Sequence, residues 1–314
     1  MINVLAHTRL SVRRLFAPLL FVSLFLVSTV SQASSYTLYI KAGTHTVNGA
    51  GGTTIKVWGY TDNSAAAPMV PGPVIESHEG ETVSVYVYNQ DSRPHNFVVA
   101  GLTTDTIAIP ANSNKTYTFT TPNAGVYLYS DTLNSNVNRE MGLYGAVVVR
   151  AAGGANVTWT GGPSFNYERL WVVSDMDKPR WNDIASTGGT VNTSVYKPNY
   201  FMMNGLGGFD AMRDPATQIT GTVGQVTLVR IVNAGQFDQS LHFHSNHMKA
   251  IVVDSARVTP FGDDTINIKA GKTAMVLFPI KYAKQTFPVH VHTAQMETAN
   301  GVYLNGAATL IVGK

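Results

Sequence analysis

The sequence predicts an all-β protein built of two tandem Greek-key β-sandwich domains. Three observations carry the prediction. Short runs of alternating or β-branched residues, each bounded by Gly, Pro, Asn or Asp, recur along the chain. Beyond the first 33 residues, no stretch repeats apolar side chains at helical spacing. The run GETVSVYVYN at residues 80–89 returns as GQVTLVRIVN at residues 224–233, and similar features follow each copy in the same order.

The elements read in order as follows. Arg9, Arg13 and Arg14 precede an apolar run at residues 15–30 and then Ser-Gln-Ala-Ser at 31–34, the pattern of a secretory signal peptide over residues 1–33. The run is short for a ~30 Å hydrocarbon core, so cleavage is expected rather than anchoring. In the first copy, strands are expected at 82–88, 117–119 and 145–149; in the second, at 226–232 and 274–278. A histidine-bearing strand follows each repeat, at His95-Asn96-Phe97 and at His242-Phe243-His244. Next come a turn and strand around Lys115 and Lys272, then Tyr127-Leu128-Tyr129 in one copy and Val289-His290-Val291-His292 in the other. An apolar strand closes each copy, at 145–149 and 307–312. The small-residue stretch at 151–155 has linker character and divides a first domain, 34–150, from a second, 151–314. Within the second, residues 171–175 read as an opening strand and 196–201 as the connection into the sandwich.

A chain of 314 residues is long enough for two such cores. The leader takes with it three arginines and no acid, which leaves 19 basic residues against 19 acidic ones. A neutral surface without a basic block carries no electrostatic footprint for nucleic acid or for an anionic membrane. Neither is expected as a partner once the signal is cleaved, and the location is exported, periplasmic or extracellular. The chain has no cysteine. Disulfides are therefore excluded, and so is a thiolate ligand; any metal must sit on His, Met or carboxylate.

Histidine placement carries the chemistry. Of nine, His7 leaves with the leader, and five crowd into the second domain as His242, His244, His247, His290 and His292. In a strand, residues i and i+2 share a face, and paired strands lie about 4.8 Å apart. Two His-x-His strands therefore bring four imidazoles together, with Phe243 and Val291 turned to the opposite side. Several adjacent imidazoles without a shared ion repel when protonated and need separate partners when neutral. Metal binding by His242, His244, His290 and His292, with His247 as a further candidate, is the expected role. Imidazole suits several metals, and the affinity order favours copper, with zinc as the alternative.

These residues also carry a family resemblance. Residues 239–247, QSLHFHSNH, resemble the His-x-His strand of the multicopper oxidases, and Val289-His290-Val291-His292 resembles their His-Cys-His strand. Pro71-Gly72-Pro73, Gly142-Leu143-Tyr144-Gly145 and the residues 196–201 are similar to framework segments of that family, and Pro94-His95-Asn96 to the copper nitrite reductases. The chain thus resembles the two-domain laccases and implies two cupredoxin-like domains. Carried over residue by residue, the four second-domain histidines match those that the last domain gives to a trinuclear copper cluster. The first-domain half is absent: Val98, Ala100, Ser130 and Thr132 stand at its ligand positions. At the blue copper site the cysteine position is Val291, one histidine position is Gln239 and the other falls near Met296. Ordinary laccase chemistry is not expected, and His95, whose companions would fall around Ser130, Asp131 and Leu143, reads as a hydrogen-bonded strand residue.

Three functions follow as expectations. The first is an exported copper-binding protein without turnover. The second is a copper oxidoreductase working directly at the histidine site, with Asp131, Met296 or Glu297 completing its surroundings. The third is a metal-free structural or self-assembling scaffold. The resemblance implies a homotrimer or other homo-oligomer, while any redox partner is not specified by the residues.

Overall fold

In the first sandwich, period-two alternation sets each strand's buried face. The strand TVSVYVYN buries Val83, Val85, Val87 and Asn89 completely while Thr82, Ser84, Tyr86 and Tyr88 turn outward. The computed structural model describes residues 33–47 and 52–314; apart from Ala33, the expected signal segment lies outside the described residues. The first sandwich comprises β1 (Ala33–Val47), β2 (Thr53–Thr61), β3 (Ile75–His78), β4 (Thr82–Asn89), β5 (Val98–Val99), β6 (Asn114–Thr120), β7 (Gly125–Ser130) and β8 (Tyr144–Arg150). One sheet has the order β2-β1-β4-β6 and the other β3-β8-β7-β5. Between them Tyr60, Phe97 and Tyr129 pack with ring centroids 5.2–6.0 Å apart.

The second sandwich repeats this plan with additions. Its strands are β9 (Tyr167–Met176), β10 (Tyr200–Met203), β11 (Ile219–Gly221), β12 (Val226–Asn233), β13 (Gln239–Phe243), β14 (Met248–Val253), β15 (Ala256–Asp263), β16 (Thr265–Ile268), β17 (Thr273–Pro279), β18 (Thr286–Val291), the short hairpin β19 (Thr298–Ala299) and β20 (Val302–Tyr303), and β21 (Ala308–Gly313). The sheets run β10-β9-β12-β17-β14-β15 and β11-β21-β18-β13-β16. The sequence repeat is therefore a topological one. β1 pairs parallel with β4 as β9 does with β12, and β3 pairs parallel with β8 as β11 does with β21. The insertion β14–β16 fills the interval that a loop occupies in the first copy.

The two sandwiches share an apolar seam. Val126, Leu128, Ala146 and Val148 of β7 and β8 join Leu228, Val232, Met275 and Leu277 of β12 and β17 in one cluster. Strands at this seam are covered on both faces, which is why β8 and β17 read as nearly unbroken apolar runs and why β12 buries even Thr227, Arg230 and Asn233. Polar ties cross it: Tyr144 Oη donates to Ser174 Oγ at 2.8 Å, and Arg230 donates to the Gly125 carbonyl at 2.8 Å.

A buried acid sits at the same junction. Glu140 is 2% exposed; one carboxyl oxygen accepts the Asp177 amide at 2.8 Å and the other has no hydrogen-bond partner among the described residues. Burial raises its pKa well above the ordinary value, opposed by the Asp177 amide and reinforced by Asp175 and Asp177. The folded protein thus holds this proton where the unfolded chain, at about 4.3, has lost it. Stability from this group is full below the unfolded value and is lost as pH rises through the raised one. Glu140→Gln is expected to flatten that decline, seen as a smaller fall in Tm between pH 5 and pH 9 than in the wild type; equal falls would contradict it.

One local expectation changes. His95-Asn96-Phe97 is not a strand: only an isolated bridge, His95 to Ile109, precedes β5. The side chains explain this, because Asn96 donates to the Thr106 carbonyl at 3.0 Å and accepts the Thr132 amide at 2.8 Å, holding the segment by side-chain bonds instead of a ladder.

Candidate metal centre

The register of β13 and β18 builds a histidine face. His242 and His290 are directly opposed, flanked by the pairs Leu241–Val291 and Phe243–Val289. Those four apolar partners are at most 1% exposed and lie in the second core, so strand alternation forces the histidines to the other side. The pattern extends one step each way: the His244 amide donates to the Pro288 carbonyl at 3.2 Å and the His292 amide to the Ser240 carbonyl at 2.6 Å. His242, His244 and His290 are half-buried and His292 is exposed. The His242 ring centroid lies 4.5 Å from that of His244, 5.7 Å from His290 and 4.8 Å from His292, and His244 lies 5.2 Å from His290. His247 is exposed, just beyond the end of β13, and has no ring contact with the four.

Hydrogen bonds orient the rings. His290 Nδ1 lies 2.6 Å from Glu297 Oε1, so this nitrogen donates to the carboxylate and directs Nε2 outward. Nε2 of His290 stands 3.1 Å from Nε2 of His244. His242 Nδ1 is 2.9 Å from Thr265 Oγ1, whose hydroxyl donates to Asp264 Oδ1 at 2.9 Å, and that oxygen is itself 3.6 Å from the ring. The His244 pKa is lowered, first by burial and then by the neighbouring His242, His290 and His292, against a smaller upward pull from Asp264, a shift that favours its neutral form.

The donor set can be tested against a metal. Two imidazole nitrogens bound to one ion at about 2.0–2.1 Å, with a bond angle of about 90–110°, stand about 2.8–3.4 Å apart. The separation between His244 and His290 falls inside that window. Among the described residues, however, no group of three or more His, Asp or Glu side chains stands ready to hold a metal ion. The face presents one preset pair, with the His242 ring centroid 4.5 Å from that of His244 and 4.8 Å from that of His292. Glu297 was visible in the sequence as a nearby acid, but its bond to His290 depends on the 3-10 turn Ala294–Glu297, which has no periodic signature.

The other positions are filled by structure. Val291 is fully buried; Met296 is 6% exposed; Gln239 is buried and donates to Asp175 Oδ2 at 3.1 Å. In the first sandwich His95 is fully buried, with Nδ1 2.8 Å from Asp131 Oδ2 and Nε2 3.0 Å from Asp91 Oδ2. Arg93 pairs with Asp91 at 3.1 Å, and Asn138 donates to Asp131 at 2.9 Å. Burial lowers the His95 pKa, but the bonds to Asp131 and Asp91 outweigh it and the net shift is upward; Asp91 is held down to about 2, where burial opposes the stronger combined pull of His95, a backbone amide and Arg93. Both ring nitrogens are engaged, so His95 offers no lone pair to a metal. The sequence reading of a hydrogen-bonded residue agrees with this placement.

Comparison with known proteins places these features in context. Two family models, both described as multicopper oxidase, match residues 41–153 and 171–312. No curated protein matches the chain in sequence. Among solved structures, the multicopper oxidase mgLAC is 22% identical with a TM-score of 0.74, over 90% of this chain and 87% of that one. The blue copper oxidase from Nitrosomonas europaea is 21% identical with a TM-score of 0.74, over 90% and 86%. The copper nitrite reductase from Nitrosomonas europaea is 20% identical with a TM-score of 0.70, over 90% and 94%. At these identities the likeness is one of fold.

Proposed function

Because this chain belongs to the multicopper oxidase family and yet has no cysteine, we propose that it is an exported copper-binding protein whose metal sits on the outer histidine face of the second sandwich. The observation that carries the reading is the 3.1 Å approach of the His244 and His290 Nε2 atoms, with Glu297 fixing the His290 ring from behind. His242 and His292 are the remaining ligands, and His247 is the nearest outer candidate. Bound copper would supply a Lewis-acidic, redox-active ion at the surface. The protein's part is to hold the imidazoles on one rigid sheet, orient them through Glu297 and Thr265, and keep the apolar core sealed beneath them.

The exposed His292 favours a second reading, a copper oxidoreductase acting directly at this face, because a small oxidant can reach the centre from solvent. Turnover of oxygen or peroxide by the copper-loaded protein separates it from storage or delivery. Zinc is the competing metal, and metal analysis of protein exported under copper-replete conditions decides between the two.

The absorption spectrum tests the ligand set. With imidazole and water donors only, the copper-loaded protein is expected to lack the intense blue thiolate-to-copper band and to show only weak ligand-field absorption. An intensely blue protein would contradict the assignment.

A further inference from the structure

A cleft between the two sandwiches has a ligand chemistry of its own. Its volume is about 490 Å³, within the ~300–1,000 Å³ typical of small-molecule sites, and junctions between domains are a common place for them. Its walls differ in character. The first sandwich contributes Leu102, Val126 and the Tyr127 ring; the second contributes Ser255, Arg257 and Lys272. The first side is mainly apolar, with Asn123 as its polar side chain, and the second carries both cations beside Val252.

The cations are incompletely matched. The Arg257 guanidinium lies 4.3 Å from the Trp159 ring centroid, which presets its position. Its nearest carboxylate, Glu79, is 3.8 Å away and already accepts from the amides of Ala124, Ala152 and Thr160 and from the Thr160 hydroxyl. Those bonds hold the Glu79 pKa low against the effect of burial. A guanidinium has five N–H donors, and among the described residues none of those of Arg257 makes a hydrogen bond to protein. Among the same residues, the Lys272 ammonium makes no hydrogen bond and no ion pair within 4 Å, its charge acting only at longer range on Asp254, which already pairs with Lys269. Two cations on one wall and an apolar surface facing them complement a molecule with one anionic end and an apolar body.

We propose that this cleft binds a small organic carboxylate, its carboxylate between Arg257 and Lys272 and its body against Leu102, Val126 and Tyr127. The site is independent of the histidine face. Because Arg257 is 46% exposed at its side chain, solvent weakens the ionic contribution, and a compact ligand is held with a dissociation constant on the order of 1 mM.

Isothermal titration of the full chain with benzoate at low salt tests this, with benzamide and sulfate as comparison ligands. Benzoate should bind saturably, benzamide at least about 10-fold more weakly, and Arg257→Gln and Lys272→Gln should each weaken benzoate about 5-fold or more. Both residues are surface side chains, so thermal unfolding of Lys272→Gln should match the wild type, and that of Arg257→Gln should fall only slightly through loss of the Trp159 contact. Copper-loaded and copper-free protein should bind benzoate alike, which keeps this site separate from the metal centre. Absence of benzoate binding, equal binding of benzamide, full displacement by sulfate at equal concentration, or unchanged binding by both variants would overturn the proposal.

Discussion

Replacing His290 by Ala is expected to lower copper(II) affinity by more than about 100-fold while leaving the apoprotein folded. Loss of an outer partner to a metal ligand already costs about 10–100-fold, and His290 is placed as a ligand itself, so its removal should exceed that range. The variant takes away one of the two preset nitrogens and removes the ring that Glu297 holds. His244→Ala should match it, because the pair works as a unit. Glu297→Gln should fall within the smaller range, since an amide can still accept from His290 Nδ1. His247→Ala should change affinity little. The half-buried ring lies on the outer face, so chemical unfolding of the apoprotein should shift only slightly. Competition titration against a copper chelator measures the affinities. Full copper retention in both His244→Ala and His290→Ala would place the metal elsewhere.

Asp131→Ala is expected to be the most destabilising single change in the first sandwich, by about 3–5 kcal/mol, because it leaves the fully buried His95 imidazolium short of its closest counter-ion. For a domain pair of this size that corresponds to a fall in Tm of about 10 °C. The sign of the pH dependence follows from the His95 pKa, which is raised above its unfolded value of about 6.5. The contribution of the network is full below that value and fades as pH rises through the raised folded pKa. Wild-type protein should therefore lose part of its advantage over Asp131→Ala on going from pH 6 to alkaline conditions. Copper affinity per folded chain should be unchanged, since Asp131 belongs to the first sandwich. A change below about 1 kcal/mol, or a loss of copper, would contradict the assignment of this cluster to structure.

Much of this architecture is legible in the chain. The repeat at 80–89 and 224–233 corresponds to β4 and β12, and the closing strands at 145–149 and 307–312 to β8 and β21, because β4 alternates strictly and the other three are rich in buried β-branched and apolar residues. The histidine face is legible for the same reason: Leu241, Phe243, Val289 and Val291 alternate with the histidines, and a core demands the apolar set. The insertion β14–β16 is harder to read. β15 is an edge strand with seven of its eight residues exposed, and nothing in an exposed edge alternates. Contacts that depend on tertiary approach are also not written in spacing. Asp131 reaches His95 across 36 positions, and Asp264 and Thr265 reach His242 from a neighbouring strand. The residues 95–97 fail as a strand because their polar side chains find inward partners that local propensity does not register.

The central claim is that copper sits on the His244–His290 face with nitrogen donors alone. Electron paramagnetic resonance of protein purified with its native metal, paired with copper quantitation, tests it most directly. The account predicts about one copper per chain, a tetragonal signal with nitrogen hyperfine structure, and loss of that signal in His290→Ala but not in His95→Ala. No copper in the exported protein, or an unchanged copper signal in His290→Ala that disappears in His95→Ala, would contradict it.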